Sequence, residues 1–159
     1  MEGKMKRLKK YMLVLFCVIF ATIGTTTGIK ADSGMNSEEL RKNSSTTTLE
    51  NNAKGNILNQ GTASISDNEN GTVNVYGAVF GSVVCDKMIL EITLQRYSNG
   101  SWINVKSFSD TAYNTSLLTK SYNVKVAKGY SYRVKAACVA QKNGVSESRV
   151  PITDGIWVD

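Results

Sequence analysis

The chain has 159 residues, of which 19 are lysine or arginine and 13 are aspartate or glutamate; its formal net charge is +6 and it contains no histidine. This length allows one ordinary domain with additional segments. The missing histidine excludes Ser-His and Cys-His nucleophile pairs and the commonest metal ligand. We therefore predict a protein that is not an enzyme and that uses no cofactor and no metal.

The first 31 residues are typical of a secretory signal peptide. Four lysines and Arg7 precede the apolar run 11–21, which is shorter than the roughly 20 residues that span a membrane. We place cleavage after Ala31, with Gly28 as the alternative end, and a retained membrane anchor is the competing interpretation. We expect the protein outside the cell, secreted or associated with the cell surface, and in contact with the membrane only through the leader before cleavage.

Removal of this leader changes the meaning of the net charge. Residues 1–31 contain six of the basic and one of the acidic residues, so 13 basic and 12 acidic residues remain, with a net charge of +1. The sequence pI of about 9.2 therefore describes mainly the export signal. Since no basic cluster follows, we expect no nucleic-acid partner.

A polar segment follows at residues 32–55, in which only Met35, Leu40 and Leu49 are candidates for burial. This composition predicts a linker that is mostly disordered. From residue 56 to residue 159 the chain consists of short β-type runs separated by Gly, Asn, Asp and Ser. Such a pattern predicts a single all-β domain.

Alternating apolar and polar residues locate the strands of this domain. We predict strands at 57–66, 72–84, 88–97, 101–109, 118–126 and 130–141, a loop at 110–116, and a last strand at 145–150 that is broken at Pro151 and finished by residues 156–158. In the third of these, the even-numbered residues from Met88 to Leu94 are expected to face the core. About seven strands in ~100 residues without a helix predict a small antiparallel β-sandwich, and we expect a monomer.

Glycines mark the turns and the close approaches. Asn99-Gly100 and Asn143-Gly144 predict tight reversals, because both residue types tolerate the positive φ that hairpin turns require. Gly77 and Gly81 lie inside a predicted strand. There they indicate a bulge or a close neighbour.

Residues 126–134 resemble the approach to the sixth strand of fibronectin type III and immunoglobulin-like domains. The pattern consists of Val126, Gly129, Tyr132 and Val134. The resemblance implies a tyrosine corner, in which the Tyr132 hydroxyl bonds to upstream backbone and Gly129 and Tyr132 have a structural role. Residues 144–148 resemble the last hairpin of fibronectin type III domains.

A second resemblance covers residues 61–159. It is carried, in order, by Leu94-Gln95-Arg96, Gly100-Ser101-Trp102, Val105, Tyr113-Asn114, Tyr132-Arg133-Val134, Ser146-Glu147 and the ending Ile156-x-Val158. These residues resemble a family of small exported proteins from Gram-positive bacteria whose function is unassigned. The resemblance implies export and supplies no catalytic residue.

Two cysteines, Cys85 and Cys138, remain after removal of the leader. Cys85 ends one predicted strand, and Cys138 lies near the end of another that runs the same way in the opposite sheet. Both thiols are therefore expected toward one end of the sandwich, and export places them where a disulfide persists. We expect a bridge between them, with two buried free thiols as the alternative.

Three aromatic residues, Tyr97, Trp102 and Tyr113, lie on or beside one predicted hairpin and loop, with Arg96 nearby. Aromatic side chains with an arginine are the usual anchors of a binding surface. These four residues are therefore the candidate site for a sugar, a peptide or a protein. The alternative interpretation is that they cover the edge of a thin core.

The leading functional hypothesis is an exported, non-catalytic module of the binding or adhesion type, whose partner is an unidentified protein, peptide or cell-wall glycan. The alternative is a secreted inhibitor or antimicrobial factor that acts on other cells or enzymes. A hydrolase is disfavoured, because the sequence has no histidine and no recognisable setting for a nucleophile.

Overall fold

A computed structural model describes residues 42–159; the predicted signal peptide and the first part of the predicted linker lie outside these residues. The described chain is all-β, with seven strands and no helix. They are β1 (Ser44–Glu50), β2 (Leu58–Asp67), β3 (Thr72–Ser98), β4 (Ser101–Lys125), β5 (Tyr130–Lys142), β6 (Val145–Arg149) and β7 (Ile156–Val158). Every pair of neighbouring strands is antiparallel. Within residues 42–159, no helix is long and apolar enough to cross a membrane.

β1 lies in the segment that the sequence predicts to be a disordered linker. It pairs with β2 along its full length, and the Thr46 Oγ1 and Ser64 Oγ atoms are hydrogen bonded across the pair at 2.8 Å. Threonine favours strands through its branched Cβ, but a threonine run has no alternation of apolar and polar residues. The prediction of disorder is therefore corrected for residues 44–50.

β3 and β4 form one long hairpin that bends near its middle. The predicted strands 72–84 and 88–97 belong to a single 27-residue strand, and the predicted loop 110–116 is part of the 25-residue β4. The register shifts between Phe80 and Cys85, and the ladder continues on both sides of this irregularity. The loop prediction is wrong because β4 is an edge strand: within residues 42–159 it pairs with β3 and with no other strand. Its polar residues therefore face solvent without leaving the sheet.

The bend divides the sheet into two halves. Half-sheet 1 consists of β1, β2, residues 72–81 of β3 and residues 117–125 of β4; half-sheet 2 consists of residues 87–98 of β3, residues 101–115 of β4, β5, β6 and β7. The two halves approach closely at Gly77, where an added Cβ would lie 2.9 Å from the side chains of Leu90 and Ile92. The predicted close neighbour of Gly77 is therefore confirmed, and it is the opposite half-sheet.

The core lies between the two half-sheets. The even-numbered residues from Met88 to Leu94 have no exposed surface, as the alternation predicts. They pack with buried residues of β2, the first part of β3 and β5 in one hydrophobic cluster. The odd-numbered side chains of this part of β3 consequently point away from the core, because successive residues of a strand face opposite sides.

Tyr132 of β5 is the largest side chain that is fully buried in this core. Its hydroxyl donates to the backbone carbonyl oxygen of Ala127 at 2.8 Å, which is the hydrogen bond implied by the resemblance to a tyrosine corner. Burial raises the pKa of Tyr132, and the nearby charge of Arg96 opposes this shift. Gly129, between the two bonded residues, has a φ of 79°, a value that favours glycine.

The two predicted Asn-Gly turns are confirmed. Asn99 and Gly100 have φ values of 50° and 80°, and Asn143 and Gly144 have φ values of 49° and 78°. Two consecutive residues with positive φ are the signature of the type I′ turn, whose twist matches that of the strands it joins. These turns set the register of β3 against β4 and of β5 against β6.

The two described cysteines are free and buried. Cys138 pairs with Leu90 in the ladder between β3 and β5, whereas Cys85 lies at the bend, five positions before Leu90. Five strand residues correspond to roughly 16 Å, and a disulfide requires Cα atoms within about 7 Å. The expected disulfide is therefore corrected to its alternative, two buried free thiols.

Candidate binding surface on the outer face of half-sheet 2

The outer face is the side of half-sheet 2 that points away from the core. It carries the odd-numbered residues of β3 from Lys87 to Tyr97 and those of β5 from Ser131 to Val139. At one end of this face the side chain of Tyr97 is 46% exposed, whereas the side chain of Leu94, on the core side of the same strand, is fully buried. The outer face therefore presents side chains that are not part of the core.

Tyr97 and Trp102 lie opposite each other across the turn between β3 and β4. Their ring centroids are 5.2 Å apart and their planes are tilted by 57°, a favourable arrangement for two aromatic rings. The Asn99-Gly100 turn positions the pair, because turn geometry sets the register of a hairpin. The structure thus brings together two of the four residues predicted for the binding surface.

Arg133 of β5 supplies the positive charge next to these rings. Its Cζ atom lies 4.4 Å from the centre of the Trp102 ring, and its Nε donates to Gln95 Oε1 at 2.8 Å. Gln95 Nε2 in turn donates to Asn104 Oδ1 at 2.8 Å. Burial lowers the pKa of the Arg133 guanidinium from its ordinary value, and arginine nevertheless stays protonated at neutral pH. A chain of contacts therefore crosses β5, β3 and β4.

The other two predicted residues lie elsewhere. Arg96 follows Gln95 in the strand and faces the opposite side of the sheet, where its Cζ lies 4.5 Å from the centre of the Tyr130 ring. Tyr113 is 65% exposed and pairs with Lys87, ten positions from Tyr97 along β3. That separation corresponds to roughly 33 Å, so Tyr113 cannot contribute to the same small site as Trp102.

Arg133, Gln95 and Asn104 are not among the residues predicted for the site. Arg133 comes from a strand that follows β4 in the chain, and only the register of β5 against β3 places it beside Gln95. The sequence carries one usable signal for Arg133, which is its position on the polar side of the alternating run 130–140.

A shallow groove of about 250 Å³ lies on the outer face next to the aromatic pair. It is lined by Glu91, Thr93, Asn104, Lys135, Ala137 and Val150. Asn104 belongs both to this groove and to the chain of contacts that reaches Trp102, so the two features are continuous. We call the six lining residues together with Tyr97, Trp102, Gln95 and Arg133 the outer-face site.

A second polar cluster joins the two arms of β4. The Tyr122 hydroxyl donates to Asp110 Oδ2 at 2.5 Å, Lys120 Nζ lies 3.2 Å from Asp110 Oδ1, and the Tyr122 ring stacks on Phe108 with centroids 4.0 Å apart. The hydrogen bond to Asp110 raises the pKa of Tyr122. This cluster connects half-sheets at the β4 edge, so we assign it a structural role.

The described residues contain no group of three or more cysteine, aspartate or glutamate side chains that could hold a metal ion. The outer-face site offers two aromatic rings, two amides, a carboxylate, an ammonium group and a guanidinium. Such a set can stack on a ligand and form hydrogen bonds with it in both directions. This arrangement of groups is suited to holding a ligand.

Comparison with known proteins identifies a family and a similar solved structure. A family described as a family of unknown function, DUF6147, matches residues 24–155. No curated protein matches the chain. The crystal structure of Spo0M, a sporulation control protein from Bacillus subtilis, is similar with a TM-score of 0.34 and 11% sequence identity over 74% of this chain. The similar region covers 50% of the Spo0M chain, so this chain spans about half the length of Spo0M.

Proposed function

We propose that this chain, which belongs to the DUF6147 family of unknown function, is a non-catalytic binding module that acts outside the cell. The outer-face site is its contact surface. One observation carries the proposal: the exposed ring of Tyr97 is packed on Trp102, which is itself fixed by Arg133. Large aromatic side chains next to an arginine are the residues that contribute most to binding.

The rigidity of the surface favours binding. Except for Val150, its residues come from the three adjacent strands β3, β4 and β5, which are paired on both sides of one register shift between Leu94 and Gln95, and side chains on paired strands are positioned more firmly than side chains on loops. Gln95 and Arg133 are hydrogen bonded before any ligand arrives. A surface ordered in advance loses little conformational entropy when it binds.

The finer fold assignment is part of the proposal. We infer a β-sandwich of the fibronectin type III kind, in which β2, the first part of β3 and the end of β4 form one sheet. The start of β4, the second part of β3, β5 and β6 form the other. The pairing order and the hydrogen bond from Tyr132 to Ala127 support this assignment. Such folds accept many partners and predict none.

Export is inferred from the sequence of the leader. Basic residues at positions 4–10 precede the apolar run 11–21, the layout of a secretory signal, and the resemblance to exported proteins of Gram-positive bacteria agrees with it. The proposal predicts that the protein accumulates outside the producing cell with a new amino terminus near residue 32. N-terminal sequencing of protein from culture medium and from the cell-wall fraction tests this step.

The binding proposal is tested by capture. Protein purified after expression of the full chain is incubated with cell walls, with immobilised glycans and with extracellular proteins, and retained material is quantified. We expect Tyr97→Ala to lower retention at least about tenfold, the loss of about 1.4 kcal/mol. Tyr113→Ala is the matched control, because Tyr113 is equally aromatic and more exposed but pairs with Lys87, ten positions from Tyr97 along β3.

Two results would contradict the proposal. If the Tyr97→Ala and Tyr113→Ala variants are both retained as well as the unchanged protein, the outer-face site is not the contact surface. Growth inhibition of other cells without any retained ligand would favour the alternative function, a secreted inhibitor or antimicrobial factor. Circular dichroism of each variant shows that the loss of retention does not come from unfolding.

A further inference from the structure

We propose that the groove of the outer-face site binds a neutral sugar unit of a polysaccharide. The inference rests on the proposed function and adds the chemical class of the ligand. It follows from the charges in the groove, from the kinds of hydrogen-bonding atoms there, and from the size and apolar surface of the groove.

The groove contains one acidic and one basic side chain that have no described partner. Glu91 and Lys135 both line it, and neither side chain forms an ion pair or a hydrogen bond with another residue among positions 42–159. An anionic ligand would be repelled by Glu91 and a cationic one by Lys135. These two charges balance within the lining of the groove, so the lining itself favours a ligand without net charge.

Asn104 adds an amide donor whose orientation is fixed. Its Oδ1 accepts a hydrogen bond from Gln95 Nε2 at 2.8 Å, and Gln95 is itself bonded to Arg133. Asn104 Nδ2 donates no hydrogen bond to another residue among positions 42–159. With Glu91 as acceptor and Lys135 as donor, the groove serves groups that both donate and accept, and the hydroxyl is the group that does so.

The groove also has an apolar part. Ala137 and Val150 contribute to its lining, Val150 is 42% exposed, and Tyr97 lies two positions beyond Gln95 in β3, roughly 7 Å farther along the strand. A sugar ring presents C–H groups on its faces and hydroxyls around its rim. It therefore needs apolar surface below and hydrogen-bonding groups at the sides, the combination typical of small-molecule sites.

The size of the groove decides between a free sugar and a polymer. Its volume of about 250 Å³ lies below the roughly 300 Å³ at which pockets for small molecules begin. It thus holds one ring-sized unit. Useful affinity then requires further units along the outer face, for which the exposed ring of Tyr97 is the next contact, and a polysaccharide provides such units on one chain.

The test uses protein purified after expression of the full chain. Affinity electrophoresis in native gels that contain β-glucan, dextran or galactomannan, and cosedimentation with cellulose and chitin, measure binding to neutral polysaccharides of different linkage. We expect binding to at least one of them, changed less than about twofold between about 0.05 and 0.5 M NaCl, because screening does not weaken a contact without net charge. Asn104→Ala and Lys135→Gln are each expected to weaken it at least about fivefold, whereas Tyr113→Ala leaves it within about twofold.

The inference is overturned if none of these polymers binds, if only an anionic polymer binds and is released by salt, or if neutral binding is unaffected by both Asn104→Ala and Lys135→Gln. Lys135→Gln alters a surface side chain without a described partner, so it keeps the test valid should Asn104→Ala unfold. If a protein ligand is captured in a way that depends on Tyr97 but not on Lys135, the proposed function is supported and the sugar proposal is wrong. If capture does not depend on Tyr97, both proposals are wrong.

Discussion

The guanidinium of Arg133 lies 4.4 Å from the centre of the Trp102 ring, so β5 and β4 are in contact across the outer surface of β3. The indole is confined at its edge as well, since a Cβ on Gly155 would lie 2.9 Å from its Cη2 atom. Trp102 is therefore held on one face and at one edge. Tyr97, which is 46% exposed, remains as the ring that a ligand can reach.

Arg133→Ala is expected to lower the free energy of unfolding by about 1 kcal/mol. Cation–π contacts at partly exposed sites contribute about 0.5–1 kcal/mol, and the arginine stem covers apolar surface. Urea denaturation followed by tryptophan fluorescence measures the change. The free energy of unfolding of Arg133→Lys should lie between those of the unchanged protein and Arg133→Ala, because lysine keeps the charge but lacks the planar guanidinium that donates to Gln95. A curve for Arg133→Ala that coincides with that of the exposed-site control Lys125→Ala contradicts the prediction.

Glu147 of β6 fixes the segment that leads into β2. Its Oε2 atom accepts hydrogen bonds from Asn51 Nδ2 at 3.1 Å, from the Ile57 backbone N–H at 3.1 Å and from the Leu58 backbone N–H at 2.9 Å. Bonds to a charged acceptor contribute about 1.5–3 kcal/mol, and the donors stay partly buried when the acceptor is removed. Glu147→Ala should therefore destabilise the fold by about 2–3 kcal/mol.

Hydrogen exchange separates this effect from a general loss of stability. In Glu147→Ala the amides of Ile57 and Leu58 should exchange faster than those of β5, because their acceptor is gone while the ladder of β5 is intact. Glu50→Ala is the control: it removes an exposed carboxylate of β1 and should change the free energy of unfolding by less than about 0.5 kcal/mol. Equal effects of the two substitutions would show that the three hydrogen bonds contribute nothing.

Cys85 and Cys138 should both be free in protein purified without reductant. Alkylation in denaturant followed by peptide mapping should find each thiol modified once. In the folded protein Cys138 should resist alkylation at neutral pH, because burial raises its pKa to about 12 and the thiolate is the reactive form. A peptide pair joined by a disulfide would contradict the arrangement at the bend of β3.

The raised pKa of Cys138 also predicts a loss of stability at high pH. The thiol pKa is 9.0 in the absence of burial and about 12 in the fold, so the unfolded chain loses the proton first. The contribution of the protonated Cys138 thiol to the free energy of unfolding is complete below about pH 9. It is lost as the pH rises toward 12, by up to about 1.4 kcal/mol per pH unit. The pKa values of Tyr122 and Tyr132 are raised too, so the measurement is the difference in slope between the unchanged protein and Cys138→Ala between about pH 8 and 10.

Elements whose signal is local could be predicted from the sequence. The even-numbered residues from Met88 to Leu94 alternate with their neighbours and are buried, and the Asn99-Gly100 turn has the positive φ values that its residues favour. β1 could not be found this way, because Thr46 and its neighbours are stabilised by hydroxyl groups of β2 across the pair. The continuity of β4 through residues 110–116 depends in the same way on its partner strand.

The candidate site could be predicted from the sequence to a similar extent. Tyr97 and Trp102 are joined by a two-residue turn, so their contact is local. Arg133 reaches Trp102 only through the register of β5 against β3, which no short stretch of sequence contains. Arg96 is adjacent to Tyr97 in the chain, yet adjacent residues of a strand point to opposite faces, and this rule alone separates Arg96 from the aromatic pair.

The close approach of the two half-sheets at Gly77 gives the last prediction. A methyl group there would lie 2.9 Å from side-chain atoms of Leu90 and Ile92, closer than carbon atoms pack. Overpacking of a close-packed core costs about 1–3 kcal/mol, so Gly77→Ala should lower the free energy of unfolding by that amount even though alanine is better than glycine in a strand. Urea denaturation measures it.

A double-mutant cycle identifies the cause of this loss. Ile92→Val removes the Cδ1 atom, which would lie 3.0 Å from the new methyl group. Alone, this substitution should lower the free energy of unfolding by about 0.5–1.5 kcal/mol. The double mutant should lose at least about 0.5 kcal/mol less than the sum of the two single losses. Ile156→Val in β7 makes the same truncation at a buried residue that supplies none of the three atoms nearest to a Cβ on Gly77. Its effect should be additive with that of Gly77→Ala. Additivity of Ile92→Val as well would mean that Gly77 is required for a reason other than the contact between the half-sheets.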